Sequence, residues 1–317
     1  MQIQVETRRY LNLQDSPKNI AETLDIEVSN HAYLPITDDL SRDWVAYIAA
    51  PAFKLIRQQT GHAISSFCSI GTGSGLDVLA AAELLGAHRL GFTDLQQDVV
   101  ATAKRNIRLN LKNQAILEYG AGDLLSPLKG KPRYDVIYEN LPNVPLAADT
   151  AINDSRNSGH FLEKRQEVIP ALVHEHMLDL HYLALVQAKA YLTDQGAVYS
   201  TLGARVPLHV FKKLGQLAGY QAEIFTYTWK IQAEAEDVLT GYAQQEKEGL
   251  GPFHFYRVSD LQAAFANLDV KTSGIHALEL EKLLAPKQLS ATQALAAWQQ
   301  GTVIGHTVAV LKSSQKA

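Results

Sequence analysis

A glycine-rich turn carries the clearest chemical signal in this 317-residue chain. The turn, Gly71-Thr72-Gly73-Ser74-Gly75, follows a short apolar run and precedes a segment rich in alanine and leucine. Such a turn lets the backbone approach a ligand closely and places the N-terminus of the next helix behind it. A phosphate-binding loop would end in Gly-Lys-Ser/Thr, and a dinucleotide site would need glycine where Leu76 stands. The spacing therefore favours a cofactor without a pyrophosphate.

Two acidic residues stand where they can complete that site. Asp94 ends the second apolar run, roughly 20 residues after the first glycine, an interval typical of an acid that holds ribose hydroxyls. Asp123 lies in a second glycine-containing turn, Gly120-Ala121-Gly122-Asp123-Leu124, where its carboxylate can accept a hydrogen bond from an adenine amino group. The structural alternative is a tight turn built on three glycines and an Asp123 that caps a helix.

Candidate residues for a second substrate follow the fourth and fifth predicted strands. Loops at the carboxyl ends of parallel strands line the ligand crevice in sheets of this kind. Asn140 follows the fourth strand and Arg205 the fifth, where the guanidinium can pair with a substrate carboxylate. Tyrosine rings near such a crevice can stabilise a positively charged group of a bound ligand. We therefore predict a reacting centre formed by Asn140, Tyr138 and Tyr182, and an acceptor site formed by Tyr33, Glu139 and Arg205.

Alternating strands and helices must position these residues. Predicted strands occupy 66–70, 89–94, 116–120, 134–138, 197–201, 222–230 and 305–311. Helices are predicted over 40–59, with a break or restart at Pro51, and over 76–85, 98–111, 168–191 and 206–218. This order indicates an α/β fold with a mostly parallel sheet covered on both faces. The predicted segments are an N-terminal cap (1–60), a core (61–233), a mostly helical insertion (234–300), and the last strand with a tail (301–317).

Composition limits the remaining function classes. Hydrophobic residues make up 46% of the chain and charged residues 20%, which is ordinary for a globular protein. The formal net charge is −4 at pH 7 and no basic stripe is visible, so a nucleic-acid partner is not expected. The lengths of the apolar runs and the N-terminal pattern predict a cytoplasmic protein without a membrane span. A single cysteine, Cys68, and the close spacing of His174 and His176 predict no metal site.

The glycine turn, Asp94 and Asp123 together resemble the class I S-adenosylmethionine-dependent methyltransferases. That resemblance implies a Rossmann-like core with a seven-stranded sheet and S-adenosylmethionine as the cofactor. The cap and the insertion favour a small-molecule acceptor over a protein or tRNA. The resemblance also implies a set of cofactor-binding residues: Gly71, Thr72, Gly73, Gly75, Asp94, Asp123 and Asn140.

Finer resemblances point to different reactions. The loop Asn140-Leu141-Pro142-Asn143 is similar to the Asn-Pro-Pro-Tyr loop of methyltransferases that act on glutamine, adenine or small amines. This similarity implies one alternative, an N-methyltransferase that acts on a glutamine or a base of a macromolecule. Residues 203–257 resemble methionine S-methyltransferases, which implies transfer to the sulfur or nitrogen of an amino-acid-like substrate. Azetidine-2-carboxylate synthases, which cyclise S-adenosylmethionine and release methylthioadenosine, also resemble this class and remain an alternative. A further alternative is a subunit that binds the cofactor but catalyses no reaction.

Overall fold

The computed structural model describes residues 1–146, 160–162 and 166–315. Its strands are β1 (Gln2–Glu6), β2 (Thr23–Glu27), β3 (Ser66–Ile70), β4 (Arg89–Asp94), β5 (Ile116–Ala121), β6 (Tyr134–Glu139), β7 (Val144–Leu146), β8 (His160–Leu162), β9 (Leu192–Ala204), β10 (Gln221–Ile231), β11 (Tyr256–Arg257) and β12 (Ile304–Ser314). Its α-helices are α1 (Thr7–Tyr10), α2 (Ala50–Thr60), α3 (Leu76–Leu84), α4 (Gln97–Asn110), α5 (Ala171–Glu175), α6 (Asp179–Ala188), α7 (Leu208–Leu217), α8 (Ala235–Lys247), α9 (Val258–Phe265), α10 (Val270–Ser273), α11 (Ala277–Leu284) and α12 (Ala291–Gln299). None of these helices is long and apolar enough to cross a membrane.

Parallel pairing joins the strands that carry the glycine turn and its acids. Strand β3 pairs in parallel with both β4 and β6, and β4 pairs in parallel with β5. Backbone hydrogen bonds give the strand order β10-β12-β9-β6-β3-β4-β5. In that order β10 and β12 are antiparallel, and the two-residue β11 adds to β12. The predicted α/β, Rossmann-like core is confirmed, with seven strands on the main path through the described residues.

The chain folds into two compact units. Of the described residues, the first unit contains 1–140 and 184–199, and the second contains 141–146, 160–162, 166–183 and 200–315. In the first unit β3 is buried along its whole length, so the glycine turn begins from a fixed strand. In the second unit the stretch after β10 contains α8 to α12. The division into a cap, a core and an insertion stays a prediction.

Two of the predicted helices are wrong in extent. The single helix expected over 168–191 is instead α5 and α6, separated at Met177, whose φ of +55° does not continue an α-helix. The helix expected over 40–59 is a 3-10 turn, a π-helical turn and then α2. Pro51 lies in the first turn of α2 and has no N–H for the hydrogen bond that would extend this helix backwards. The predicted restart at Pro51 is confirmed, whereas the apolar periodicity does not predict the break at Met177.

An N-terminal hairpin attaches to α4 through two asparagines. Strands β1 and β2 pair antiparallel with each other. Asn110 accepts a hydrogen bond from the Asp25 N–H at 2.9 Å and donates to the Asp25 carbonyl at 3.0 Å. Asn106 makes the same two bonds with Glu27, at 3.0 and 2.7 Å. Because residues four apart share a helix face, α4 satisfies the outer edge of β2 as another strand would.

Replacing Asn110 by alanine should therefore destabilise the protein. Asn110 is buried, and the substitution leaves the N–H and carbonyl of Asp25 without these partners. We expect the free energy of unfolding to fall by about 1–3 kcal/mol in chemical denaturation. Asn113→Ala, at an exposed position of the same region, is the control and should change stability by less than about 0.5 kcal/mol. Equal losses in the two variants would contradict the role given to Asn110.

Candidate functional site

The glycine turn connects β3 to α3 and is held by the end of β4. The N–H groups of Gly71 and Thr72 both donate to the Thr93 carbonyl, at 2.9 and 3.1 Å. Gly71, Gly73 and Gly75 have φ values of +71°, +56° and +85°, a region that favours glycine. At Gly75 an added Cβ would also lie only 3.1 Å from the Ile107 side chain. The turn is therefore fixed both by its dihedral angles and by close packing.

Asp94, at the end of β4, ties the turn to the neighbouring strand. Its Oδ2 accepts a hydrogen bond from the Gly73 N–H at 3.0 Å. Its backbone carbonyl accepts from the Gly122 N–H at 2.9 Å, in the turn that carries Asp123. Burial raises the pKa of the Asp94 carboxyl, and the Gly73 N–H opposes this effect. The structure thus brings together the glycine turn, Asp94 and the turn that carries Asp123, which the sequence analysis linked by their spacing.

Asp77 lies beneath the turn, and the sequence analysis missed it. Its carboxylate accepts hydrogen bonds from the hydroxyls of Ser69 and Thr72, the second at 2.7 Å. Burial raises the pKa of Asp77 to about 6, although these hydrogen bonds act in the opposite direction. The available signal was an acidic residue in the first turn of an otherwise apolar helix. Asp77 thus joins the end of β3, the turn and the start of α3.

A second missed residue, Asn106 on α4, holds the turn from another direction. Its amide donates to the Ser74 carbonyl at 2.9 Å, in addition to the Glu27 carbonyl. A buried amide that binds two carbonyls and accepts from one N–H has little freedom to move. The N-terminal hairpin and the glycine turn therefore share one side chain.

The segment that carries Tyr33 is anchored at the start of α4. Asp98 accepts hydrogen bonds from the Ser29 hydroxyl and from Nδ1 of His31, the latter at 2.9 Å. Burial acts to raise the pKa of Asp98, but the hydrogen bonds from Ser29 and His31 outweigh it, and the pKa is lowered. Tyr33 follows two residues after His31 and is half-buried.

Three other predicted site residues of the first unit, Asp123, Glu139 and Asn140, differ in burial and in their partners. Oδ2 of Asp123 accepts from the Gln187 amide at 2.9 Å, and Gln187 in turn accepts from the Leu125 N–H at 3.0 Å. Glu139 is fully buried and pairs across the sheet with Ile70, the residue before the turn. Asn140 follows it and is half-exposed.

Tyr138 lies in the core of the first unit. Its ring packs edge-on against Phe53 with centroids 5.1 Å apart, and stacks with Phe67 at 6.5 Å. Only 2% of the residue is exposed. This packing gives Tyr138 a structural position that explains its aromatic character without a ligand. Tyr138 also pairs with Ser69 of β3, two residues before the turn, and its role in the reacting centre stays a prediction.

The remaining predicted residues, Tyr182 and Arg205, belong to the second unit. Tyr182 lies on α6 and is half-buried. In the same unit the Asn143 amide donates to the Met177 carbonyl at 3.1 Å, which fixes the loop where an aromatic residue was expected by resemblance. Arg205 is buried among neutral polar and aromatic groups.

The charges around the turn favour a cationic ligand with hydroxyl groups. Glu139, Asp94 and Asp123 all lie at the carboxyl ends of their strands, and residues 71–75 include no lysine or arginine. Carboxylates bind ribose hydroxyls and ammonium groups well, and they repel phosphates. Within the described part of the chain, no group of three or more His, Cys, Asp or Glu side chains is arranged to hold a metal ion.

Comparison with known proteins gives short or distant similarities. The chain matches no protein-family model. A stretch of 76 residues, 24% of this chain and 22% of the relative, is 40% identical to a ribosomal protein L11 methyltransferase of Lactobacillus gasseri. The chain thus spans about a fifth of that relative's length.

The solved structures that resemble this chain also have low sequence identity to it. A ribosomal protein L11 methylase from Lactobacillus delbrueckii subsp. bulgaricus is 17% identical over 55% of this chain and 69% of that one, with a TM-score of 0.36. A precorrin-6y C5,15-methyltransferase from Geobacter metallireducens is 9% identical over 84% and 88%, with a TM-score of 0.39. A cyclopropane synthase from Mycobacterium tuberculosis is 11% identical over 84% of each chain, with a TM-score of 0.41. TM-scores of this size do not establish a common function.

Titration of Asp77 should make the stability of the protein depend on pH in a defined window. Since the pKa is raised from 3.8 to about 6 in the folded protein, the folded state binds this proton more tightly than the unfolded chain does. The contribution to stability is then complete below pH 4 and is lost as the pH rises through about 6. Relative to the Asp77→Asn variant, the free energy of unfolding of the wild type should fall by on the order of 2–3 kcal/mol across this pH window.

Denaturant unfolding of both proteins at a series of pH values measures this difference. Ser69→Ala is a matched variant, because it removes a hydrogen bond that lowers the pKa of Asp77. It should move the transition to higher pH. A wild-type-minus-variant difference that stays constant from pH 4 to pH 7 would show that Asp77 does not titrate there.

Proposed function

We propose that this protein binds S-adenosylmethionine and transfers its methyl group to an acceptor. The observation that carries the proposal is the hydrogen bond from the Gly73 N–H to Oδ2 of Asp94. It joins a glycine turn without a phosphate-binding pattern to an acid at the end of the next strand. The 40% identity with a methyltransferase, although confined to 76 residues, supports the same cofactor.

Each part of the cofactor has a matching group on the first unit. The Asp94 carboxylate accepts hydrogen bonds from the backbone N–H groups of Gly73, Gln96 and Leu95, and we assign its remaining acceptor capacity to the ribose hydroxyls. Asp123, held by Gln187, is assigned to the adenine amino group. Gly71, Thr72, Gly73 and Gly75 are assigned to the methionine end, where the open space beside Gly73 leaves room for the ligand. The exposed Leu95, next to Asp94, offers an apolar surface for the adenine ring.

S-adenosylmethionine supplies an electrophilic methyl group on a sulfonium, and the residues of this chain have to place the acceptor in line with it. Little proton transfer is needed, so catalysis depends on positioning and exclusion of water. We assign Asn140 to orienting the acceptor and Glu139 to electrostatic stabilisation of positive charge. Tyr33 and Tyr182 remain proposed aromatic contributors, and Tyr138 is proposed to support the end of β6 from the core.

The acceptor that we propose is the sulfur or nitrogen of a small, amino-acid-like substrate. The relative named for ribosomal protein L11 raises a protein acceptor as the competing possibility. No observation of the described residues favours cyclisation of the cofactor over methyl transfer. Product analysis distinguishes all three.

The test is mass spectrometry of the products after incubation of purified protein with S-adenosylmethionine. One sample has no acceptor, one contains a panel of amino acids including methionine, and one contains ribosomal protein. S-adenosylhomocysteine formed only with an amino acid, together with a methylated product, is the expected result. Formation only with ribosomal protein would replace the small acceptor with a protein. Methylthioadenosine above the no-enzyme control would indicate cyclisation, and no product in any sample would contradict the proposed activity.

Replacing Asp94 by asparagine should weaken binding of S-adenosylmethionine. The side chain can still accept from the Gly73 N–H, so the turn is retained, but the charge that strengthens hydrogen bonds to ribose is lost. We expect a loss of about 1.5–3 kcal/mol by isothermal titration calorimetry, or roughly 10- to 150-fold in Kd. Asp194→Asn, at an exposed position, is the control and should bind as the wild type does. Unchanged affinity of the Asp94 variant would refute the ribose assignment.

A further inference from the structure

Arg205 is a buried cation at one edge of the sheet in the second unit. It follows directly after β9 and is 6% exposed. Gln232 follows directly after β10, and His306 is near the start of the antiparallel β12, paired with Lys230 of β10. The three side chains therefore meet where β9 and β10 end and β12 begins. The carboxyl ends of strands are the usual place for ligands in open α/β sheets.

Neutral acceptors hold the guanidinium. Oε1 of Gln232 accepts hydrogen bonds from Nε and Nη2 of Arg205, at 3.2 and 2.8 Å. Nε2 of His306 lies 3.0 Å from the same Nη2. Nδ1 of His306 lies 2.8 Å from the Thr307 carbonyl, which can only accept, so Nδ1 carries the proton and Nε2 accepts from Arg205. Burial, and then the charge of Arg205, lower the pKa of His306 and keep it neutral.

Packing fixes the position of the guanidinium further. It lies over the rings of Tyr242 and Phe255, 5.1 and 5.9 Å from their centroids. A Cβ added at Gly203 would fall 2.0 Å from Nη1 of Arg205, so only glycine leaves room for this arrangement. The Arg205 carbonyl also accepts from the His254 N–H at 2.6 Å. The guanidinium thus occupies one orientation.

This cation has no anionic partner among the residues that the structure describes. Its hydrogen-bond and ring contacts there are all with uncharged groups. A buried charge without a counterion costs stability, and an apolar residue of similar size would avoid that cost. A guanidinium stays protonated at physiological pH and forms a fork that matches a carboxylate. Purely structural packing does not require such a group.

We propose that Arg205, oriented by Gln232 and His306, binds a carboxylate of the acceptor substrate. This inference rests on the proposed function, because only methyl transfer requires an acceptor substrate. It narrows the class of acceptors to compounds with a free carboxylate. A carboxylate would supply a negative charge that the described residues around Arg205 do not supply. It would accept hydrogen bonds from Nη1, because the hydrogens of Nε and Nη2 are already donated to Gln232 and His306. Two neutral acceptors and two aromatic rings hold the guanidinium without neutralising it. The cation therefore keeps its full attraction for an anion.

Nitrogen NMR of the arginine side chains tests binding without any need for turnover. In protein labelled with ¹⁵N-arginine, the Nε signal of Arg205 is the one that disappears in Arg205→Lys. Acetate should shift this signal in a saturable way, whereas acetamide and chloride at matched concentration should not. Arg257→Lys, at an exposed position in the same unit, should leave the acetate response intact. No saturable shift, or the same shift with acetamide, would overturn the proposal.

A second variant covers the case in which Arg205→Lys does not fold. Gly203→Ala keeps the guanidinium but displaces it, because the new Cβ would overlap Nη1. It should weaken the acetate response by at least tenfold, and an undiminished response would contradict the built geometry. Binding of S-adenosylmethionine is measured separately on the same protein. Acetate binding without cofactor binding would refute the proposed function alone, and cofactor binding without acetate binding would refute this inference alone.

Discussion

The hydrogen bond between the Gly73 N–H and the Asp94 carboxylate is the constraint on which the first unit depends. Two backbone N–H groups of the turn already donate to the Thr93 carbonyl, and Asp94 adds a third point of attachment one residue later. A turn bound to the adjacent strand at three points cannot adopt a different path without leaving buried polar groups without partners. The left-handed dihedral angles at its glycines follow from this path.

Side chains from distant parts of the sequence extend that constraint. Asn106 binds both Ser74 in the turn and Glu27 in the hairpin, which is 79 residues away along the chain. Asp98, in the first turn of α4, binds Ser29 and His31. The N-terminal residues are thus fixed to the same helix, α4, whose packing requires glycine at position 75. A change in the hairpin should therefore be transmitted to the turn through the Asn106 side chain and not through the backbone alone.

Features that depend on short-range spacing could be predicted from the sequence, and features that depend on distant partners could not. The glycine spacing and the distance to Asp94 identify the turn because strand, turn and helix are consecutive. The packing of Tyr138 against Phe53 could not be predicted, because the sequence of a strand buried on both faces does not show which neighbours each face meets. The helix is interrupted at Met177 by a left-handed backbone conformation, which the pattern of apolar residues does not reveal. The partners of Arg205 lie 27 and 101 residues away, so its environment has no local signature.

Each of the two units contains charged groups that favour a different kind of ligand. The first unit places acids around a turn that has no basic residue, which favours a cationic, hydroxyl-bearing ligand. The second unit buries a guanidinium among neutral partners, which favours an anion. A protein that only needed stability would pair such charges within each unit or replace them. Acids near the glycine turn suit a cationic donor, and a guanidinium held by neutral side chains suits a carboxylate-bearing acceptor, as the proposed reaction requires.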